Sequence, residues 1–120
     1  MNRSIFSALA LAATLAVNPA LAADAPSAFK ICGTCHKVVA GAKSIGPSLF
    51  GVYGSKAGTV GTEFKYSPAM SGWGKTWDDA NLAAYLANPK DTIPGNKMVF
   101  VGVKSPDDIK AIIEYLKTLK

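Results

Sequence analysis

The sequence predicts an all-α, single-domain protein. Three observations predict it: two helices announced by their capping residues in the second half of the chain, a shorter helical segment around the cysteine pair, and no run that alternates as sheet. Only "MVFVGV", Met98 to Val103, reads as a short extended piece, and no internal repeat or low-complexity tract is present.

The first 22 residues are set apart from this domain. Arg3 precedes an apolar run from Ile5 to Val17, and Ala20, Leu21 and Ala22 follow as a small-residue cleavage pattern, the layout of a secretory signal peptide. The run is shorter than the roughly 20 residues that a spanning helix needs. Residues 23–120 are therefore the expected mature domain, exported to the periplasm and without stable membrane insertion.

A first helix is expected from about Pro26 to Val38, with Ala28, Phe29, Ile31 and Cys32 on its apolar side. Eight of the eleven glycines then lie between Gly41 and Gly74, so this stretch reads as loop, with one helical turn near Ser67 to Met70. A compact domain rarely carries so long a loop without a function for it. The next helix spans about 77–88: Thr76 with Asp79 makes a capping box, and Asn88 and Pro89 stop it. The last is the strongest. Ser105 is an N-cap, Pro106 suits the first turn, Asp107 and Asp108 complement the positive helix end, and Ile109, Ile112, Ile113 and Leu116 follow at i, i+3, i+4 and i+7.

Thirteen basic against eight acidic residues give a net charge of +5. The one arginine, Arg3, lies in the leader, so the mature positive charge rests on lysines alone. Lysine without arginine argues against nucleic-acid recognition, which favours bidentate guanidinium contacts. The excess fits either a docking field for acidic protein surfaces or an ordinary solvated surface, and charge alone does not separate these.

Both cysteines and the single histidine fall within "CGTCH", Cys32 to His36. C-x-x-C-H is the signature of covalent c-type haem attachment. On a helix, i, i+3 and i+4 share one face, so two thiols reach the vinyl groups while the imidazole reaches the iron. Structural zinc wants four ligands, and no third thiol or second histidine exists to complete them. A thioredoxin-like dithiol wants a preceding strand and a βαβ pattern, and a plain disulfide is disfavoured because a two-residue loop between cysteines suits redox chemistry more than stapling. Haem also supplies the apolar bulk that a domain of this size lacks, with the glycine-rich loop as its wall. Of the thioethers left after leader removal, Met70 and Met98 are the candidate distal ligands. Pro94 and Gly95 make a turn before Met98, which favours it modestly.

The segments "CGTCH", "GPSLFGVYG", "FKYSPAM", "TWDDANLAAYLANPKD" and "IPGNKMVF", in this order from about Phe29 to Leu119, resemble the class I c-type cytochromes, specifically small bacterial relatives of mitochondrial cytochrome c. The resemblance implies the cytochrome c fold: terminal helices packed together and loops wrapping one covalently attached haem c. It implies His36 as proximal and Met98 as distal iron ligand, with the Pro47 carbonyl orienting the imidazole. Tyr66 and Trp77 match positions that bind a haem propionate, Tyr85 an aromatic hydroxyl near the axial sulfur, and Phe100 an aromatic beside the haem edge. Two departures stand out. No glycine lies two turns before Cys32, so the crossing of the terminal helices is expected to be shorter or looser. Ser55 replaces an arginine near the propionates, so the electrostatics there do not carry over.

The expected function is that of a monomeric, soluble electron carrier, not an enzyme, moving one electron in a respiratory or related chain between membrane or periplasmic redox proteins with acidic docking surfaces. Lys30, Lys37, Lys43 and Lys97 flank the expected haem site. The competing reading is a haem-based ligand sensor or peroxidatic enzyme whose sixth coordination site is open.

Overall fold

The computed structural model describes residues 24–42, 44–61 and 63–120. The expected signal peptide, 1–22, and the candidate docking residue Lys43 lie outside the described residues. The described chain runs as a 3-10 helix Ser27–Thr34, then α1 Pro68–Ser71, α2 Asp79–Ala87, α3 Pro89–Thr92 and α4 Pro106–Lys117. Among the described residues there is no strand, only an isolated antiparallel bridge between Lys56 and Thr76, and no helix is long and apolar enough to cross a membrane.

The strongest local signal is realised as read. The Ser105 side chain accepts from Asp108 N, Pro106 opens α4, and Lys117 sits in its last turn. Its inner face, Ile112, Ile113, Tyr115 and Leu116, is buried, Ile112 to 1% exposure. Each such side chain withdrawn from water contributes about 1.5–3 kcal/mol. That face packs on α2 and on the 3-10 helix. Phe29 meets Tyr115 edge to face, ring centroids 4.7 Å apart, and this aromatic pair is where the terminal elements cross.

Four expectations are corrected. The first helix is neither α-helical nor as long as 26–38: it is a 3-10 helix ending at Thr34, with Cys35 as its C-cap. Backbone bonds from Gly46 N to Cys35 O and from Leu49 N to Lys37 O draw the following residues into pairing with the loop, which ends the helix. The second helix starts at Asp79 with Asp78, not Thr76, as its cap. Thr76 is held in the bridge to Lys56 and Trp77 N donates to Ser55 O, so the chain is still extended there. Pro89 does not simply stop α2, because it opens the one-turn α3, capped by the Asn88 side chain. Met98 to Val103 forms no strand, since Phe100 N turns back to Met98 O while Val103 N bonds Leu86 O.

That last bond brings the chain tightly across the end of α2. Gly102 has φ +106°, and a Cβ there would stand 2.1 Å from Ala87 O. Only glycine passes at this crossing.

Among the described residues, one charged tie joins two elements at the surface. Tyr53 OH donates to Asp79 Oδ1 at 2.5 Å, and Lys117 Nζ lies 3.3 Å from Asp79 and 2.9 Å from Glu114. The Tyr53 hydrogen bond, and then Lys117, hold the Asp79 carboxyl below its ordinary value of 3.8. A depressed carboxyl contributes stability that is present above pH 3.8 and is lost as pH falls through the folded value. The tie is solvent-exposed, so its worth is small. Wild type and Asp79→Asn should differ by a constant, small urea midpoint near neutral pH, and the difference should close below pH 3.8. Equilibrium unfolding across the acid range measures it.

Candidate haem site

Cys32 lies in the 3-10 helix, Cys35 caps it and His36 follows, so the three do not share the face of an α-helix; the turn from Cys35 N and His36 N back to Cys32 O clusters them instead. Both thiols are half-buried, and they are not joined by a disulfide. Burial pushes the Cys32 thiol above its ordinary 9.0, only partly offset by a backbone hydrogen bond. A redox-active dithiol needs the opposite shift, towards thiolate, so this environment does not suit thiol–disulfide exchange.

His36 is fixed from two sides. Its Nδ1 lies 2.7 Å from Pro47 O; a carbonyl only accepts, so Nδ1 carries a proton and donates, and the ring nitrogen left to face a metal is Nε2. Gly46 forms the wall beside the ring, where an added Cβ would come within 2.7 Å of Cε1 and 2.9 Å of Nδ1. Sequence reasoning singled out Pro47 but missed Gly46, whose lack of a side chain makes room for the imidazole. Ser48 Oγ, donating to Val39 O at 2.6 Å, pins the same loop to the segment after the motif.

The two candidate methionines have different surroundings. Met70 is buried in the core at 8% exposure, and its amide donates to the Ser67 side chain that caps α1. Met98 is half-buried, and its sulfur accepts a hydrogen bond from Tyr85 OH at 3.8 Å. Burial pushes the Tyr85 hydroxyl up to about 12, with nearby Tyr66 adding to the shift, so it stays a donor through the whole neutral range.

The remaining predicted site residues fall in two aromatic groups, with Phe100 outside both. Trp77 packs on Tyr85 at 4.9 Å and on Trp73 at 5.2 Å between ring centroids. Tyr66 stacks edge-on against Phe64, and its hydroxyl donates to Val60 O. Phe100 is half-buried two residues beyond Met98. Ser55 turns its hydroxyl to Val52 O at 2.6 Å.

The residues present fit a c-type haem. An imidazole whose Nδ1 is committed to a carbonyl, a thioether with its own donor, two cysteines not joined to each other and next to the imidazole in the chain, and buried aromatic side chains are the donor set and enclosure such a group takes.

Comparison with known proteins agrees. Residues 22–120 match the family model described as Cytochrome c. The chain is 60% identical over 98 residues to cytochrome c2 iso-2 of Magnetospirillum molischianum, covering 82% of this chain and all of that one. It is 53% identical over 98 residues to cytochrome c2 of Rhodoplanes tepidamans, covering 81% and 99%. Among solved structures, cytochrome cH from Methylobacterium extorquens superposes with a TM-score of 0.72 at 44% identity, over 76% of this chain and 91% of that one.

Gly46 offers a clean test of the imidazole's seat, since its backbone is not in the left-handed region. Gly46→Ala should displace the ring, lowering the stability of the purified pigmented protein by about 1–3 kcal/mol, the usual range for overpacking, and lowering the fraction of chains carrying haem. Denaturant titration and the haem-to-protein absorbance ratio report the two effects.

Proposed function

The chain belongs to the cytochrome c family, electron-transfer proteins that hold haem c covalently through two cysteines, here Cys32 and Cys35, and from that premise we propose a soluble, periplasmic one-electron carrier whose iron ligands are His36 and Met98. The observation that carries the ligand assignment is the Tyr85 hydroxyl at 3.8 Å from the Met98 sulfur, a contact Met70 does not share. When bound, the haem supplies an iron centre that alternates between ferrous and ferric states.

The chain's own residues make that centre a carrier. Pro47 commits the Nδ1 of His36 to a carbonyl, which orients the ring and leaves Nε2 as the nitrogen that faces the iron. Met98 is a neutral, soft donor, which favours the lower charge state and raises the potential. Tyr85 draws electron density from the sulfur in the same direction. The buried aromatic group of Trp77 and Tyr85 excludes water and disfavours added positive charge. With His36 and Met98 both holding the iron, oxygen, peroxide or a substrate would enter only by displacing one of them, and this disfavours the sensor and peroxidatic readings.

Docking would fall to the surface around Met98. Lys97 and Lys104 flank the segment, and Val99, fully exposed at 102%, with Val101 at 79%, presents apolar contact between them. Lys30 and Lys37 flank the cysteines on the other segment of the site. A cationic rim around apolar contacts suits a small, rapidly dissociating interface with an acidic redox partner. Removal of residues 1–22 is part of the proposal; the family match beginning at residue 22 supports it.

Met98→Leu should abolish the weak red charge-transfer band that thioether ligation gives ferric haem and should admit carbon monoxide to the ferrous protein. Met70→Leu should keep the band and lower stability by less than about 1.5 kcal/mol, the usual limit for a volume-conserving swap. Absorption spectra of the two purified variants decide the ligand. The second-order rate with an acidic redox partner should fall as salt shortens the screening length to about 8 Å, and stopped-flow rates against ionic strength measure this; a flat profile removes the docking patch.

A further inference from the structure

Asn96 is a polar residue outside the haem-attachment motif whose side-chain amide makes three hydrogen bonds between α3 and the segment that carries Met98. Its Nδ2 donates to Pro89 O and to Ile93 O, each at 2.9 Å. Both carbonyls can only accept, which fixes the orientation of the amide and turns Oδ1 to the other side. There Oδ1 accepts from Met98 N at 2.8 Å. One side chain thus joins the end of α3 to the backbone of the residue bearing the candidate distal sulfur.

The anchor is itself held. Thr92 Oγ1 donates to Ala84 O at 2.9 Å, tying α3 to α2, and the Asn88 side chain caps α3. The adjoining turn is tight, with Gly95 at φ +90°. On the far side of the loop Lys97 Nζ donates to Lys65 O at 2.8 Å. Tyr85, the donor to the Met98 sulfur, belongs to α2. Sulfur and backbone amide of Met98 are therefore both held from the α2–α3 unit, one through Tyr85 and one through Asn96.

We infer that Asn96 is the positioning residue of the distal ligand: it sets the Met98 backbone so that the thioether stays engaged, and its loss lets the Met98 segment swing away. The inference rests on the proposal that Met98 ligates the iron. A thioether is a weak ligand, so its occupancy depends on how far the loop is organised before it binds. A side chain that organises the loop acts on the engaged population, not on the iron.

The test uses the full pigmented protein. Asn96→Ala removes all three bonds. Asn96→Ser drops the two donations but keeps a short hydroxyl able to accept from the amide two residues on. Ile113→Val, in the buried face of α4 and outside the α2–α3 unit, serves as the purely structural control. Asn96→Ala should speed carbon monoxide binding to the ferrous protein about tenfold, the order expected for about 1.4 kcal/mol of lost loop organisation, and should weaken the ferric charge-transfer band. Asn96→Ser should recover most of the resistance, and Ile113→Val should lower the urea midpoint while leaving the carbon monoxide rate near wild type. A rate within twofold of wild type in Asn96→Ala, or an equal acceleration in Ile113→Val, overturns the inference. Retention of the band in Met98→Leu overturns the ligand assignment beneath it, whatever Asn96 does.

Discussion

A single hydrogen bond, from His36 Nδ1 to the carbonyl of Pro47, is the constraint on which the rest of the site depends. It spans eleven residues, closes the loop after the cysteine motif, and settles which ring nitrogen is free. The arrangement around it follows. Gly46 must lack a side chain because the imidazole occupies that space, and Ser48 must turn back to Val39 to keep the carbonyl in place. The helix that starts the domain ends at Thr34 because the residues after it are needed for this pairing.

The distal half is built on a different plan. No single contact fixes Met98. Instead α2, α3 and the loop after them form one unit in which each joint is a side chain closing on a backbone group: Asn88 on α3, Thr92 on Ala84, Asn96 on Met98. Gly102 then lets the chain recross α2 at a separation no other residue permits. The two halves meet through the core, where α4 lays its isoleucine face on α2 and its Tyr115 against Phe29.

How much of this was legible in the sequence depended on range. α4 was readable because its cap, first-turn proline, acids and apolar spacing are all local to it and agree. The cysteine and histidine cluster was readable because its spacing is itself the chemistry. The start of α2 was misread because Thr76 and Asp78 are both good caps, and the choice between them is made by Lys56 and Ser55, some twenty residues earlier in the chain. The 3-10 geometry of the first helix was hidden for the same reason, its end being set by Gly46 and Leu49. α3 was missed because Asn-Pro reads equally as a stop and as a cap followed by a first-turn proline. Gly46 and Asn96 carry no signal in isolation: one matters for an atom it lacks, the other for three partners at separate places in the chain.

The lysine beside Met98 differs from a free surface cation in one respect. Its ammonium already donates to the carbonyl of Lys65, which narrows the positions open to the exposed side chain. A lysine carries about 2 kcal/mol of rotamer entropy, which an untethered side chain forfeits on meeting a carboxylate. Lys97 has given up part of it beforehand, and its ammonium keeps two protons for a further acceptor. A carboxylate arriving there would meet a landmark, with the direction of approach favoured before contact is complete.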